Sequence, residues 1–208
     1  MRRPTIAAGF GALLLGACSP LAPRPDRSRF YVLTPLVLTD PTSSATLPGR
    51  RLALGLGPVN VPPYLDRPEV VTRVNPNELK PAGYERWAEP LGTQIRGTLA
   101  MNLATLLKTD RVVAFPWYGG TALDYVVTVD VYAFERDPEN RADLVARWLV
   151  KDGRAGTVLR AEETRLHEAA ASETTADLVA ALSRALGELS RAIASAIEGF
   201  RAQSLKAG

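Results

Sequence analysis

DYVVTVDVYAF, Asp124 to Phe134, alternates with a period of two. Tyr125, Val127, Val129, Val131 and Ala133 fall on one face, and Asp124, Thr128 and Asp130 mark the other. That is the pattern of a strand with one side against a core and one toward water. Two further runs follow closely. Asp137-Pro138-Glu139-Asn140 is a turn, Leu144 to Val150 a second strand, Lys151-Asp152-Gly153 another turn, and Thr157 to Leu166 a third strand. Connections this short leave no room for a crossover, so the three strands must pair antiparallel.

The segments around this meander supply the rest of the fold. Upstream, Arg111 to Phe115 reads as a strand, as do RFYVLTPL (Arg29 to Leu36) and RLALGLGPVNV (Arg51 to Val61). Gly55 and Gly57 form only a Gly-x-Gly fragment with no helix directly after it, so they are strand glycines and no dinucleotide loop. Val70 to Val74, the turn Asn75-Pro76-Asn77 and Leu79 to Trp87 read as a hairpin. From Pro90, whose missing amide hydrogen costs nothing at a helix start, Leu91, Ile95, Leu99, Leu103, Leu106 and Leu107 recur at helical spacing. Gln94, Arg96, Asn102 and Lys108 lie off that stripe, which predicts a half-exposed helix on a sheet. A second helix begins near SETTADL, where Ser172 or Thr174 can cap it. Its stripe of Leu178, Leu182, Leu186, Leu189, Ile193, Ile197 and Phe200 runs for about 22 residues, or roughly 33 Å. The expected fold class is α+β: an antiparallel-rich sheet with an amphipathic central helix and a long C-terminal helix packed on it.

The N-terminus has a different character. Arg2 and Arg3 precede an uncharged apolar run of roughly a dozen residues, short of the about 20 a membrane-spanning helix needs. The run ends at Leu15-Gly16-Ala17-Cys18, which resembles the bacterial lipobox, and Cys18 is the single cysteine of the chain. Residues 1–17 are therefore expected to be a lipoprotein signal peptide and Cys18 to carry the lipid. Acyl chains contribute about 0.8 kcal/mol per buried methylene, and several together make a lasting anchor. Residues 18–29, SPLAPRPDRSR after the cysteine, read as an extended Pro-rich tether, and 30–203 as one α+β domain. Ser19 in place of Asp at the position after the cysteine points to the outer membrane under the sorting rule of Gram-negative lipoproteins.

Charge and motifs narrow the function classes. The net charge of +3 includes Arg2 and Arg3, so the chain without its leader carries 23 basic against 22 acidic side chains. With no Lys/Arg cluster, nucleic acid has no electrostatic footprint. There is no Gly-x-Ser-x-Gly elbow, Walker loop, His-Glu-x-x-His or Cys-x-x-Cys, and nothing calls for a cofactor or metal. His167 is the only histidine and sits at a polar strand end. Asp66 with Glu69, Glu85 with Glu89, and Glu162 with Glu163 have the residue types of a glycosidase couple, but abundant arginines make salt links their expected fate. No enzyme role is assigned. Trp87 and Trp148 are expected in the core. Contact residues for a partner are sought in two loops: VPPYLDRPE, whose prolines hold Tyr64 and Leu65 beside Asp66 and Arg67, and WYGG, which carries Trp117.

FYVLTPL, LGLGPVNVPPYLDRPEVVTR with NELK, WAEPLGTQIRGTLAMNL, RVVAFP, and DYVVTVDVYAFE with ARWLVKDG occur in this order. Together they resemble the ABC-type transport auxiliary lipoprotein family, the PqiC/YmbA-like proteins, over nearly all of the chain after the leader. YLDRPEVVTR and RWAEPL are the most specific segments. The resemblance implies an outer-membrane-anchored periplasmic accessory subunit that docks an MCE-domain protein with its permease and ATPase and serves lipid transport. It also implies self-association, without a subunit number, and supplies no catalytic position. Two other readings stay open on the residues: a scaffold or plug for an outer-membrane β-barrel, and a periplasmic hydrolase, which would need a cleft with convergent polar groups.

Overall fold

The structure, a computed structural model, describes residues 25–37, 52–117 and 121–206. The expected signal peptide, Cys18 and the tether up to residue 24 lie outside them. Ten elements follow in chain order: β1 Arg29–Tyr31, β2 Leu54–Asn60, β3 Glu69–Asn75, β4 Glu78–Trp87, α1 Leu91–Leu106, β5 Val112–Ala114, β6 Tyr125–Arg136, β7 Arg141–Asp152, β8 Val158–Ala169 and α2 Thr175–Lys206. The α+β class and the meander are as the alternation predicts, since β6 pairs antiparallel with β7 and β7 with β8. The β3–β4 hairpin turns where Asn75-Pro76-Asn77 places it.

The other pairings are parallel, which local patterning does not reveal. β2 lies between β5 and β6 and runs parallel to both. A parallel return needs a crossover, and the β3–β4 hairpin with α1 supplies it between β2 and β5. β2 is accordingly enclosed: Leu54, Gly55, Leu56 and Gly57 are all buried. The two glycines are demanded by close approach, because a Cβ on Gly55 would stand 2.6 Å from Leu123 Cδ1 and one on Gly57 2.7 Å from Thr128 Cγ2.

Both helices cover one face of the sheet, α1 over β2 and β5, α2 over β6, β7 and β8, and they touch each other. Their apolar stripes meet Val127, Val129, Leu144, Ala146, Trp148 and Val150 in one core. Trp148 is buried as expected, and its indole N–H donates to Thr164 Oγ1 at 2.9 Å. α2 is longer than its apolar stripe, with 32 residues spanning about 48 Å. Thr174 caps it: its hydroxyl accepts from the Asp177 amide at 3.2 Å and donates to the Asp177 carboxylate at 3.1 Å.

Three local expectations are corrected. Pro90 occupies the capping position rather than the first helical one. The strand expected over Arg29 to Leu36 is regular only through Tyr31. Gln94 and Asn102, off the apolar stripe and expected toward solvent, are buried at 4% and 0% exposure, so the buried side of α1 is wider than its apolar stripe. The last two corrections have one cause, which lies in the site described next.

Candidate functional site

After Tyr31 the chain leaves the sheet and threads between α1 and α2 as an extended arm. Backbone entering an apolar groove must have every polar group satisfied. Here side chains do it. The Leu33 amide donates to Gln94 Oε1 at 2.9 Å, while Gln94 Nε2 donates to the Tyr31 carbonyl at 3.2 Å. The Thr34 amide donates to Ser183 Oγ at 3.1 Å and the Leu36 amide to Asn102 Oδ1 at 2.7 Å. Asn102 Nδ2 then donates to Ser190 Oγ at 3.0 Å, which joins the two helices. Leu36 is seated over Gly187, where a Cβ would come within 2.7 Å of its Cδ2. The sequence places Gln94 and Asn102 toward solvent and draws no attention to Ser183 or Ser190. The available signal was Ser183 and Ser190, seven apart and flanking the apolar stripe of α2.

The arm enters the fold beside the loop that carries four of the sequence-predicted contact residues. Tyr31 pairs with Trp87, whose amide donates to the Pro68 carbonyl at 2.7 Å. Next to this row a cavity of about 270 Å³ is lined by Asp66, Arg67, Pro68, Trp87, Glu89 and Pro90. Small-molecule sites run to roughly 300–1,000 Å³, so this hollow suits a side chain or loop tip rather than a whole lipid. Asp66 and Arg67 are exposed at its rim. Arg67 is held by Glu69 at 2.9 Å. Leu65, by contrast, is 2% exposed and belongs to the core. Tyr64 is half-buried and donates its hydroxyl to the Tyr132 carbonyl at 2.9 Å. Trp117 is not part of this cluster. It lies beside Gly55 and Val126, at the opposite ends of β2 and β6, in edge contact with Phe115 at 5.4 Å between ring centroids.

Behind Tyr64 lies a row of charged groups on the sheet face away from the helices. Glu135, Asp143 and His167 stand side by side across β6, β7 and β8. Arg73 reaches Glu135 from β3, Nε to Oε1 at 2.5 Å, and its guanidinium lies 6.0 Å from the Tyr64 ring centre. Burial, reinforced by the Glu135 carboxylate, holds the Tyr64 hydroxyl well above its usual range. Burial likewise pushes the Asp143 carboxyl up, against the opposing pull of His167. Glu135 Oε2 and Asp143 Oδ1 have no hydrogen-bond partner among the described residues. His167 Nδ1 lies 3.4 Å from Asp143 and 3.9 Å from Asp137. Among the described residues no group of His, Cys, Asp and Glu is arranged to hold a metal ion.

This geometry joins a helix pair closed over an N-terminal arm to a small hollow beside the arm's first residues, and the overall fold recurs in solved structures. Protein XCC0632 from Xanthomonas campestris aligns at a TM-score of 0.69 with 19% identity, over 85% of this chain and 99% of its own. A second structure, described only as an uncharacterized protein, aligns at 0.67 with 22% identity, over 82% and 98%. At such identities these likenesses speak for the fold alone. No curated protein sequence matches the chain. The model of the family described as ABC-type transport auxiliary lipoprotein component matches residues 31–194. The chain belongs to this family.

The matched region of this auxiliary component begins at Tyr31, whose carbonyl accepts from Gln94, and takes in α1 and α2 as far as residue 194, so the arm and the groove residues that hold it fall inside it. The family is described as one of transport auxiliaries, and three of the acids singled out from the sequence meet arginines as expected. Glu69 pairs with Arg67 at 2.9 Å, Glu162 with Arg160 at 2.5 Å, and Glu163 with Arg165 at 2.8 Å. Among the described residues no helix is long and apolar enough to cross a membrane.

Proposed function

We propose that this auxiliary component is a periplasmic lipoprotein held to the outer membrane through Cys18, and that it docks an MCE-type ABC lipid transport system at that membrane. The observation that carries the docking surface is the cavity rimmed by Asp66 and Arg67, directly beside the row in which Tyr31 pairs with Trp87. The chain that leads to Cys18 runs back from β1, the strand that makes this pairing. A partner seated there meets the component at its tether, and a pull between the two membranes then passes through the arm into the helix groove. The hollow's size favours a protruding side chain of an MCE-domain protein over a lipid molecule. ATP hydrolysis belongs to the partner, in keeping with a sequence without a Walker loop. No catalytic role is assigned to this chain, and Trp117 is kept as a separate secondary contact.

Two experiments test the reading. Cys18→Ala should abolish acyl labelling and release the protein from the outer-membrane fraction, and equal labelling of the variant defeats the anchor. A photo-crosslinker at position 67 in intact cells should capture an MCE-domain protein, while the same probe at Gly156, in the β7–β8 turn, should not. Capture of an outer-membrane barrel protein instead would replace the docking partner.

A further inference from the structure

A second, larger hollow of about 550 Å³ lies where β3 and β6 meet, and it shares no residue with the one at Asp66. Its volume falls among the roughly 300–1,000 Å³ of small-molecule sites. β3 and β6 pair at a single position, Thr72 with Arg136, and Thr72 pairs on its other side with Lys80 of β4. Residues paired across a sheet point to the same face. Lys80, Thr72 and Arg136 therefore form one row over three strands, and all three line the hollow. Two strand spacings set Lys80 and Arg136 about 10 Å apart at the backbone, with the Thr72 hydroxyl between them.

The charges of this row lack partners. Lys80 is exposed, and neither its ammonium nor the Thr72 hydroxyl has a side-chain hydrogen bond or an ion pair among the described residues. Arg136 is partly buried, yet its guanidinium bonds only neutral acceptors: Nη1 donates to Asn140 Oδ1 and Nη2 to the Thr174 carbonyl at 2.9 Å. Burial holds its pKa below the usual range, against the field of Glu173 and Asp177. That is the mark of a cation drawn out of water with no anion in contact. The neighbouring charges are already engaged. Arg73 is bonded to Glu135, and Asp137 accepts from the Arg141 guanidinium and from the amides of Glu139 and Arg141. Glu173 stands exposed at the rim.

We propose that this hollow binds a phosphate monoester, with the phosphate held by Lys80, Thr72 and Arg136. A monoester presents three terminal oxygens to these three donors, where a carboxylate or a phosphodiester presents only two. Near neutral pH it carries a charge of about −1.5 to −2, which matches the two unpaired cations. Val74, Pro81, Ala82 and Pro138 wall the rest of the hollow and suit the carbon skeleton on the esterified oxygen. The ester belongs to a small polar molecule or to a lipid headgroup, since the phosphate chemistry is the same in both. The site does not rest on the docking function, and its test needs no partner protein.

The test uses the full chain in neutral detergent. Amide chemical shifts of Thr72 and Val74 are followed as inorganic phosphate, glycerol 3-phosphate or micelle-borne phosphatidic acid is added, with Gly156 as a remote reference. Thr72 and Val74 should shift and saturate with an ester while Gly156 stays. Saturation by glycerol 3-phosphate identifies a soluble ester, and saturation by phosphatidic acid alone a lipid one. Lys80→Gln removes a charge with no structural bond and should weaken binding roughly tenfold. Arg136→Gln should do the same, but it also frees the Thr174 carbonyl, so Lys80→Gln decides. Glu173→Gln should tighten binding about threefold, because a like charge leaves the rim. No shift with either ester, a response to inorganic phosphate alone, an affinity unchanged by Lys80→Gln, or a loss of affinity in Glu173→Gln overturns the proposal.

Discussion

The helix groove and the charged row at the end of the sheet both bury polar side chains, and they solve the cost in opposite ways. In the groove, Gln94, Asn102, Ser183 and Ser190 are neutral, and their hydrogen bonds tie them to the arm, to helix carbonyls or to each other. Around Tyr64 the groups are ionic and the account is incomplete: Glu135 is fully buried with one oxygen bonded to Arg73 and the other unmatched. The difference teaches where stability is uniform and where it is concentrated. Neutral hydrogen bonds each contribute about 1 kcal/mol, so the arm is held by a sum of modest terms. A buried carboxylate with one cation places a large term on one contact.

The comparison breaks first at Arg73. Arg73→Ala leaves the Glu135 carboxylate buried without its cation, and should cost about 3 kcal/mol or more in urea denaturation. A loss below about 1 kcal/mol would mean that Glu135 has other support and that the two regions do not differ. Asn102→Ala comes next. It removes the acceptor of the Leu36 amide and the donor to Ser190, for roughly 2 kcal/mol. Hydrogen exchange should quicken at Leu36 and much less at Leu33, which Gln94 holds separately; uniform acceleration would make the arm one all-or-none unit.

The smallest effect sharpens the comparison through pH. Burial raises the Asp143 carboxyl above its usual range, so the native state binds that proton more readily than the unfolded chain. Its contribution is fully present below the unfolded value and is lost as pH rises through the raised native value. Asp143→Asn removes that loss. The variant's melting temperature should therefore gain on wild type between acid and neutral pH, by an amount worth under about 1 kcal/mol. Parallel melting curves across that range would show that Asp143 is solvated in the native state.

Secondary structure was legible because it is local. The alternation in Asp124–Phe134, the Asn-Pro-Asn turn and the leucine spacing in both helices each concern neighbours within a few residues, and those elements form where the pattern puts them. The candidate site was legible only in part. VPPYLDRPE was recognisable as a constrained loop, but nothing local tells which of its residues turn inward. Tyr64 and Leu65 do so because Tyr132 and the core lie beneath them, some 70 residues away in sequence, and Asp66 and Arg67 are left at the rim. The arm misled the reading for the same reason. Arg29 to Leu36 has strand composition, but beyond Tyr31 the amides of Leu33, Thr34 and Leu36 donate to helix side chains.

By itself the sequence determined which segments are helix and strand, that the last three strands form a meander, and that Glu69, Glu162 and Glu163 would meet nearby arginines. These follow from side-chain period, turn chemistry and charge, which act over short stretches of chain. The tertiary structure alone decided that β2 lies between two parallel neighbours and that Gln94 and Asn102 face inward. Each of these depends on which distant segment arrives alongside: Thr34 finds Ser183 across 149 residues. The preference of a polar side chain for water or for a buried backbone amide is settled only once that segment is in place.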